Sequence, residues 1–160
     1  YPVDALKMMA QIVEETESHL DYSAYRERKV SAANIHNISN AVCYSSVSTA
    51  HDLGAQVIVA PSISGFTTRM LSKWRPMANI IGLSPSIASV RQMQIYWGVT
   101  PFHARRAEST DLLIESSLEL LKEKGVVKEG DLAVVTAGVV THAKRHEPAA
   151  HTNIMRVVTI

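Results

Sequence analysis

The sequence predicts an α/β fold of three layers: a five-stranded, mostly parallel sheet with one antiparallel edge strand and helices on both faces. Three observations carry this expectation. Short apolar runs recur at Gln56–Ala60, Asn79–Leu83, Val99–His103 and Asp131–Thr136. Segments of helical periodicity of about 10–16 residues, punctuated by Gly or Pro, fall between them, which is the pattern of βαβ units. The last apolar run, Thr152–Ile160, follows a stretch with no helical pattern, so it is expected to return antiparallel at an edge.

The elements read in order as follows. Val3 to about Leu20 is an amphipathic helix with Val3, Leu6, Met9, Ala10, Val13 and Leu20 on one face. Residues 21–37 form a polar connector, whose charged run Arg26-Glu27-Arg28-Lys29 is expected to be a solvated loop face. Ser39 is placed to cap a second helix that runs to Asp52 and ends at Gly54. After the first strand, Gly65–Trp74 is helical and is closed by Arg75-Pro76. Pro85–Trp97 is a helix stopped by Gly98. Ser109 caps a further helix to Lys124, with Asp111 near its start, Lys122 and Lys124 near its end, and Gly125 as C-terminal stop.

Composition narrows the function classes. A chain of 160 residues with 46% hydrophobic content can bury an ordinary core as one domain. A formal net charge of +1, with 19% charged residues, gives no electrostatic reason to expect nucleic acid or an acidic membrane surface as partner. No apolar run approaches the roughly 20 residues that cross a bilayer. One cysteine, Cys43, cannot form an internal disulfide, which points to a reducing cytoplasm and to a small buried hydrophobe. The start Tyr1-Pro2-Val3-Asp4 lacks an initiating Met and the order of a signal peptide, which suggests a piece of a longer chain.

One stretch carries chemistry. In Val57-Ile58-Val59-Ala60-Pro61-Ser62-Ile63-Ser64-Gly65-Phe66-Thr67-Thr68, a buried strand feeds a helix through a hydroxyl-rich turn. Such a turn aims backbone N–H groups and hydroxyls at one point, at the positive end of the helix dipole, where a phosphate is favoured. The competing reading is that the Ser and Thr residues only cap the helix. His142, His146 and His151 have a spacing that would suit zinc on a helical turn, but Pro148 opposes a helix there and no ligand cluster completes the set, so no metal site is expected. Trp74, Trp97 and Tyr96 are expected to pack, and Asp111, Glu115 and Glu119 to form a solvated face rather than catalytic carboxylates. No Walker or dinucleotide fingerprint and no nucleophile–His arrangement is present, so no catalytic residue is assigned.

At this point the residues resemble a known family. Ser64-Gly65-Phe66-Thr67-Thr68-Arg69-Met70-Leu71-Ser72-Lys73-Trp74-Arg75-Pro76 and Asn79-Ile80-Ile81-Gly82-Leu83-Ser84-Pro85 are similar to the effector-site turn, helix and following strand of pyruvate kinases. Trp97-Gly98-Val99-Thr100-Pro101, Lys128-Glu129-Gly130-Asp131 with Thr136-Ala137-Gly138, and Thr152-Asn153-Ile154-Met155-Arg156-Val157 continue the resemblance in order. It implies that residues 1–20 are the last helix of a preceding catalytic barrel, 21–37 a connector, and 38–160 the C-terminal regulatory domain. The family's metal-holding carboxylates, its enolate-stabilising lysine and its potassium site would all lie upstream of Tyr1. The resemblance therefore implies an allosteric, subunit-contact domain of a cytoplasmic glycolytic phosphotransferase that is inactive alone. No cofactor belongs to this segment, whereas the parent enzyme would use Mg or Mn and K.

Carried over residue by residue, the resemblance assigns the effector phosphate to Ser62, Ser64, Gly65, Phe66, Thr67 and Thr68. Ile63 replaces a lysine common in family members that respond to sugar bisphosphates, and Leu113 falls where an arginine for the second phosphate is expected. The loop 139–151 lacks the family's glycines but carries Lys144 and Arg145, and Arg105 and Arg106 precede the Ser109 cap. These four cations are candidates for a second phosphate contact. The implied ligand is fructose 1,6-bisphosphate or a sugar or nucleoside monophosphate such as ribose 5-phosphate, glucose 6-phosphate or AMP. The remaining implied partners are the catalytic barrel and further copies of the chain. The alternative reading is an oligomerisation module with a vestigial pocket, and a third is an independent small α/β enzyme.

Overall fold

Five strands form one sheet in the order β3-β2-β1-β4-β5 in a computed structural model that describes residues 1–22, 24–25, 28–29, 37–138 and 152–160. The strands are β1 (Val57–Pro61), β2 (Asn79–Ser84), β3 (Val99–His103), β4 (Leu132–Ala137) and β5 (Ile154–Thr159). The helices are α1 (Pro2–Ser18), α2 (Ile38–Asp52), α3 (Phe66–Ser72), α4 (Ile87–Met93) and α5 (Thr110–Glu123). The chain divides into two units, Tyr1–Ala33 and Asn34–Ile160.

In the first unit, α1 takes the predicted place, with Pro2 at its start where a missing N–H costs nothing. Its apolar side chains Val3, Leu6, Met9 and Val13 are exposed. The expected loop is corrected where it is described: residues 22, 24, 25, 28 and 29 are helical, while 23, 26, 27 and 30–36, with Arg26 and Glu27 of the charged run, lie outside the described residues. Asp21 explains why, because its carboxylate accepts from the Ala24 N–H at 3.0 Å and its carbonyl from the Tyr25 N–H at 3.0 Å, which starts a helical turn. The Lys29 ammonium lies 4.9 Å from the Tyr25 ring centre, one turn along.

In the second unit β1, β2, β3 and β4 are parallel, and β5 runs antiparallel to β4, with Leu132 opposite Thr159 and Ala137 opposite Ile154. This is the predicted sheet, edge strand included. Side chains of a strand alternate between its faces. On one face Val57, Val59, Ile81, Leu83, Ala133 and Val135 pack with Ile114 and Leu121 of α5. The opposite face, with Ile58, Ile80 and Val134 fully buried, is covered by α2, α3 and α4. Both strand faces are thus buried, which is why these runs are almost uninterruptedly apolar.

The caps refine the sequence reading. Asn37, not Ser39, caps α2 by accepting the Ser39 N–H at 2.8 Å. Ser39 itself is buried inside the helix. Ser109 caps α5 as expected, accepting from Leu112 N–H at 3.2 Å, and Ser86 caps α4 through Ser89 N–H at 3.3 Å. α4 is shorter than its periodic pattern, since residues 94–97 leave the helix as turns before Gly98 at φ +65°.

Cys43 is the buried hydrophobe expected, and burial pushes its thiol from 9.0 up to about 12. Gly82 in β2 is required by close approach. A Cβ there would lie 2.8 Å from Met93 Sδ and 3.1 Å from Thr68 Cγ2, so α4 and α3 rest directly on the β2 backbone.

Two outcomes follow from this packing. Gly82→Ala forces methionine and threonine off their positions and lowers stability by about 1–3 kcal/mol, to be read by urea unfolding. The raised Cys43 thiol stabilises the fold fully below its unfolded value near 9 and progressively less as pH rises from 9.0 toward about 12. Stability in that window therefore falls about 1.4 kcal/mol per pH unit more steeply in the wild type than in Cys43→Ala.

Candidate functional site: the turn after the first strand

From β1 the chain steps outward to β2 and β3, crosses back along α5, and enters β4 on the other side of β1. The connections from β1 and β4 therefore diverge, and the crevice between the carboxyl ends of these two strands is the switch point at which open α/β sheets hold ligands. The residues 62–68 predicted to bind phosphate leave β1 at this crevice.

The turn is held from below by β2. Ser62 N–H donates to Leu83 O at 2.8 Å, and Ser84 Oγ donates to Ile63 O at 2.9 Å while accepting from Ser86 N–H at 3.2 Å. Gly65 then reverses the chain at φ +75°, a left-handed conformation that an L side chain rarely adopts. A Cβ at Gly65 would also meet Met93 Cγ at 3.0 Å and Tyr96 Cε2 at 3.9 Å, so the turn lies flat on α4 and the residues that follow it.

The capping reading of this turn fails. The N-cap of α3 is Gly65, and no side chain caps the helix, in contrast to α2, α4 and α5. The N–H groups of Phe66, Thr67 and Thr68 belong to a first turn that has no intrahelical acceptors. Ser64 is exposed and Ser62 half-buried, so their hydroxyls lie at the mouth of the turn. Thr67 and Thr68 differ from them. Thr68 is buried, with its hydroxyl 3.5 Å from Ala60 O. The Thr67 hydroxyl lies 2.7 Å from the Thr152 hydroxyl, at the entry to β5. Their side chains fasten the helix to the sheet.

Another hydroxyl, Thr136 Oγ1, is buried near the carboxyl end of β4 with no partner among the described residues. Arg69, in the last turn of α3, has its guanidinium 5.9 Å from the Phe66 ring centre.

Of the candidate cations for a second phosphate, only Arg105 and Arg106 fall among the described residues. Arg105 and Arg106 are exposed and follow β3, two strands away from β1, a separation of about 9.6 Å at about 4.8 Å per strand. Among the described residues no hydrogen bond or ion pair joins them to the turn. Lys144, Arg145 and the three loop histidines lie outside the described residues, and among those described no group of three or more His, Cys, Asp or Glu could hold a metal ion. Asp111, expected on a solvated face, pairs with Arg156 at 3.3 Å and so links α5 to β5 at the surface.

Sequence reasoning missed Met93, Tyr96, Ser84 and Thr152 as parts of the turn's support. Trp74 is the packing residue expected, buried with its ring 5.1 Å from that of Tyr44. Trp97 is fastened differently: its carbonyl accepts from Ser72 Oγ at 2.7 Å and the Arg75 guanidinium lies 4.6 Å from its ring centre.

The fold and the sequence can be compared with known proteins. The family described as pyruvate kinase, alpha/beta domain, matches residues 40–158. Pyruvate kinase of Clostridium acetobutylicum is 35% identical over 161 residues, which covers 100% of this chain and 33% of that protein. Pyruvate kinase of Lactobacillus delbrueckii subsp. bulgaricus is 37% identical over 145 residues, covering 87% of this chain and 24% of that protein. The crystal structure of a pyruvate kinase from Cryptosporidium parvum superposes with a TM-score of 0.80 at 26% identity, over 99% of this chain and 30% of that one. The chain thus spans about a third or less of these relatives. Matched in family, in relatives and in fold, it belongs to the pyruvate kinase family and corresponds to that family's C-terminal α/β domain.

Proposed function

We propose that this chain is the effector-binding and subunit-contact domain of a cytoplasmic pyruvate kinase, the enzyme that converts phosphoenolpyruvate and ADP to pyruvate and ATP. The phosphate of a phosphorylated metabolite binds at Ser62, Ser64 and Gly65 and at the first-turn N–H groups of Phe66, Thr67 and Thr68. The observation that carries this reading is the uncapped start of α3 at the switch point, with Ser62 and Ser64 beside it and neither capping the helix. Hydrogen bonds from neutral donors to an anion are about twice as strong as those between neutral groups, so a few N–H and O–H donors suffice for a phosphomonoester.

Ile63 in the turn and Leu113 on α5 leave uncharged two positions where the family's cations would meet a bisphosphate, which favours a sugar or nucleoside monophosphate over fructose 1,6-bisphosphate. The chemistry of the parent enzyme belongs to a catalytic barrel with its divalent metal and potassium. The exposed apolar side chains of α1 suit its place as the last helix of that barrel. Binding at the turn would then shift a homo-oligomer by a coupling of about 1–3 kcal/mol.

A second reading, an oligomerisation module with a vestigial pocket, is favoured by one observation. β5 is an edge strand with Met155 and Val157 exposed, open to pairing with another copy. A thermal-shift screen separates the two readings. The chain is heated with ribose 5-phosphate, glucose 6-phosphate, AMP, fructose 1,6-bisphosphate and plain sulfate. A ligand at a hundred times its Kd adds about 2.7 kcal/mol, which raises Tm by about 5–10 °C for a domain of this size. We expect such a rise with one monophosphate and its loss in Ser64→Ala. No rise beyond that given by sulfate assigns the domain to assembly alone.

A further inference from the structure

We infer that Thr152 is a positioning residue for the phosphate turn, and that its buried hydroxyl pair with Thr67 is the joint holding that turn and strand β5 in fixed relation. The two Oγ1 atoms are 2.7 Å apart although the residues are 85 positions apart in sequence. Thr67 is 5% exposed and Thr152 1% exposed, so water does not compete for the bond, and losing either hydroxyl leaves the other unsatisfied in the interior.

Each partner is anchored on its own side. Thr67 stands in the first turn of α3, directly after Gly65 and Phe66. Thr152 is followed by Asn153, whose N–H donates to Ala137 O at 3.0 Å, and by Ile154, which registers with Ala137 at the end of β4. A displacement of the turn is therefore carried through one hydrogen bond into the first residues of β5.

Either threonine can be the donor of this bond, and in both arrangements each buried hydroxyl is held by the other. Valine at 152 keeps the shape and abolishes the donor, whereas serine retains it. The ligand part of this inference rests on the phosphate reading above, but the joint itself does not.

Amide hydrogen exchange on the whole chain tests both parts, using wild type, Thr152→Val, Thr152→Ser and Thr67→Val, each with and without inorganic phosphate at matched ionic strength. Without phosphate, Thr152→Val speeds exchange of the amides of residues 66–70 by about twofold to tenfold. Thr67→Val does the same for 153–155, and Thr152→Ser stays near wild type, while amides of α5 are unchanged in all three. With phosphate, the wild type slows at 66–70 and at 153–155 together, and Thr152→Val binds about twofold to tenfold more weakly and loses the response at 153–155. Unchanged exchange at 66–70 in ligand-free Thr152→Val overturns the joint, as does equal loosening by serine and valine. If one variant fails to fold, the exchange of the other across the pair decides the same point. Phosphate that leaves the wild-type turn unaffected overturns the phosphate reading alone, because the ligand-free comparison still judges the joint.

Discussion

Gly82 carries no side chain, and the shape of the candidate site depends on that. Met93 and Thr68 both press onto the bare β2 backbone at this residue, with a hypothetical Cβ only 2.8 Å from Met93 Sδ. Met93 in turn forms the floor on which Gly65 lies. The stack from Gly82 through Met93 to Gly65 thus joins the β2 backbone to the turn that opens α3. A Cβ at either glycine would meet the Met93 side chain.

From that stack the polar arrangement follows. Because Gly65 occupies the N-cap position, α3 starts without a capping side chain, and Ser62 and Ser64 are left at the mouth of the turn. The deeper hydroxyls of Thr67 and Thr68 have other tasks, one toward Thr152 and one toward Ala60. Shallow hydroxyls and first-turn N–H groups can meet an anion, while the deep hydroxyls hold the helix in place. The same division separates this turn from the starts of α2, α4 and α5, where Asn37, Ser86 and Ser109 each accept from one first-turn amide.

Much of the architecture was legible in the sequence, because periodicity and punctuation report burial directly. The uniformly apolar Leu132-Ala133-Val134-Val135 announced a strand covered on both faces, and the lack of a helical pattern before Thr152 announced an antiparallel edge. Boundaries and caps were less legible. Asn37 and Ser39 are both good capping residues, and only the backbone geometry distinguishes them. The helical turn after Asp21 was hidden by the polarity of its residues. Within the site, the turn itself could be read from Ser, Ser and Gly between a strand and a helix. Its support could not be, since Met93, Ser84 and Thr152 reach it only through the fold, and a methionine or a threonine carries no sign of its distant partner. The Gly at position 82 inside an apolar strand was the one available signal of close approach.

The central claim is that the turn at residues 62–68 receives a phosphate group. The most direct test is a titration of the amide chemical shifts of the chain with inorganic phosphate, against chloride at the same ionic strength. The account predicts that the amides of Ser64 to Thr68 move together and saturably, with the rest of the sheet nearly still. Shifts confined to other segments, such as the arginine pair after β3, or no saturable shift at all, would contradict it.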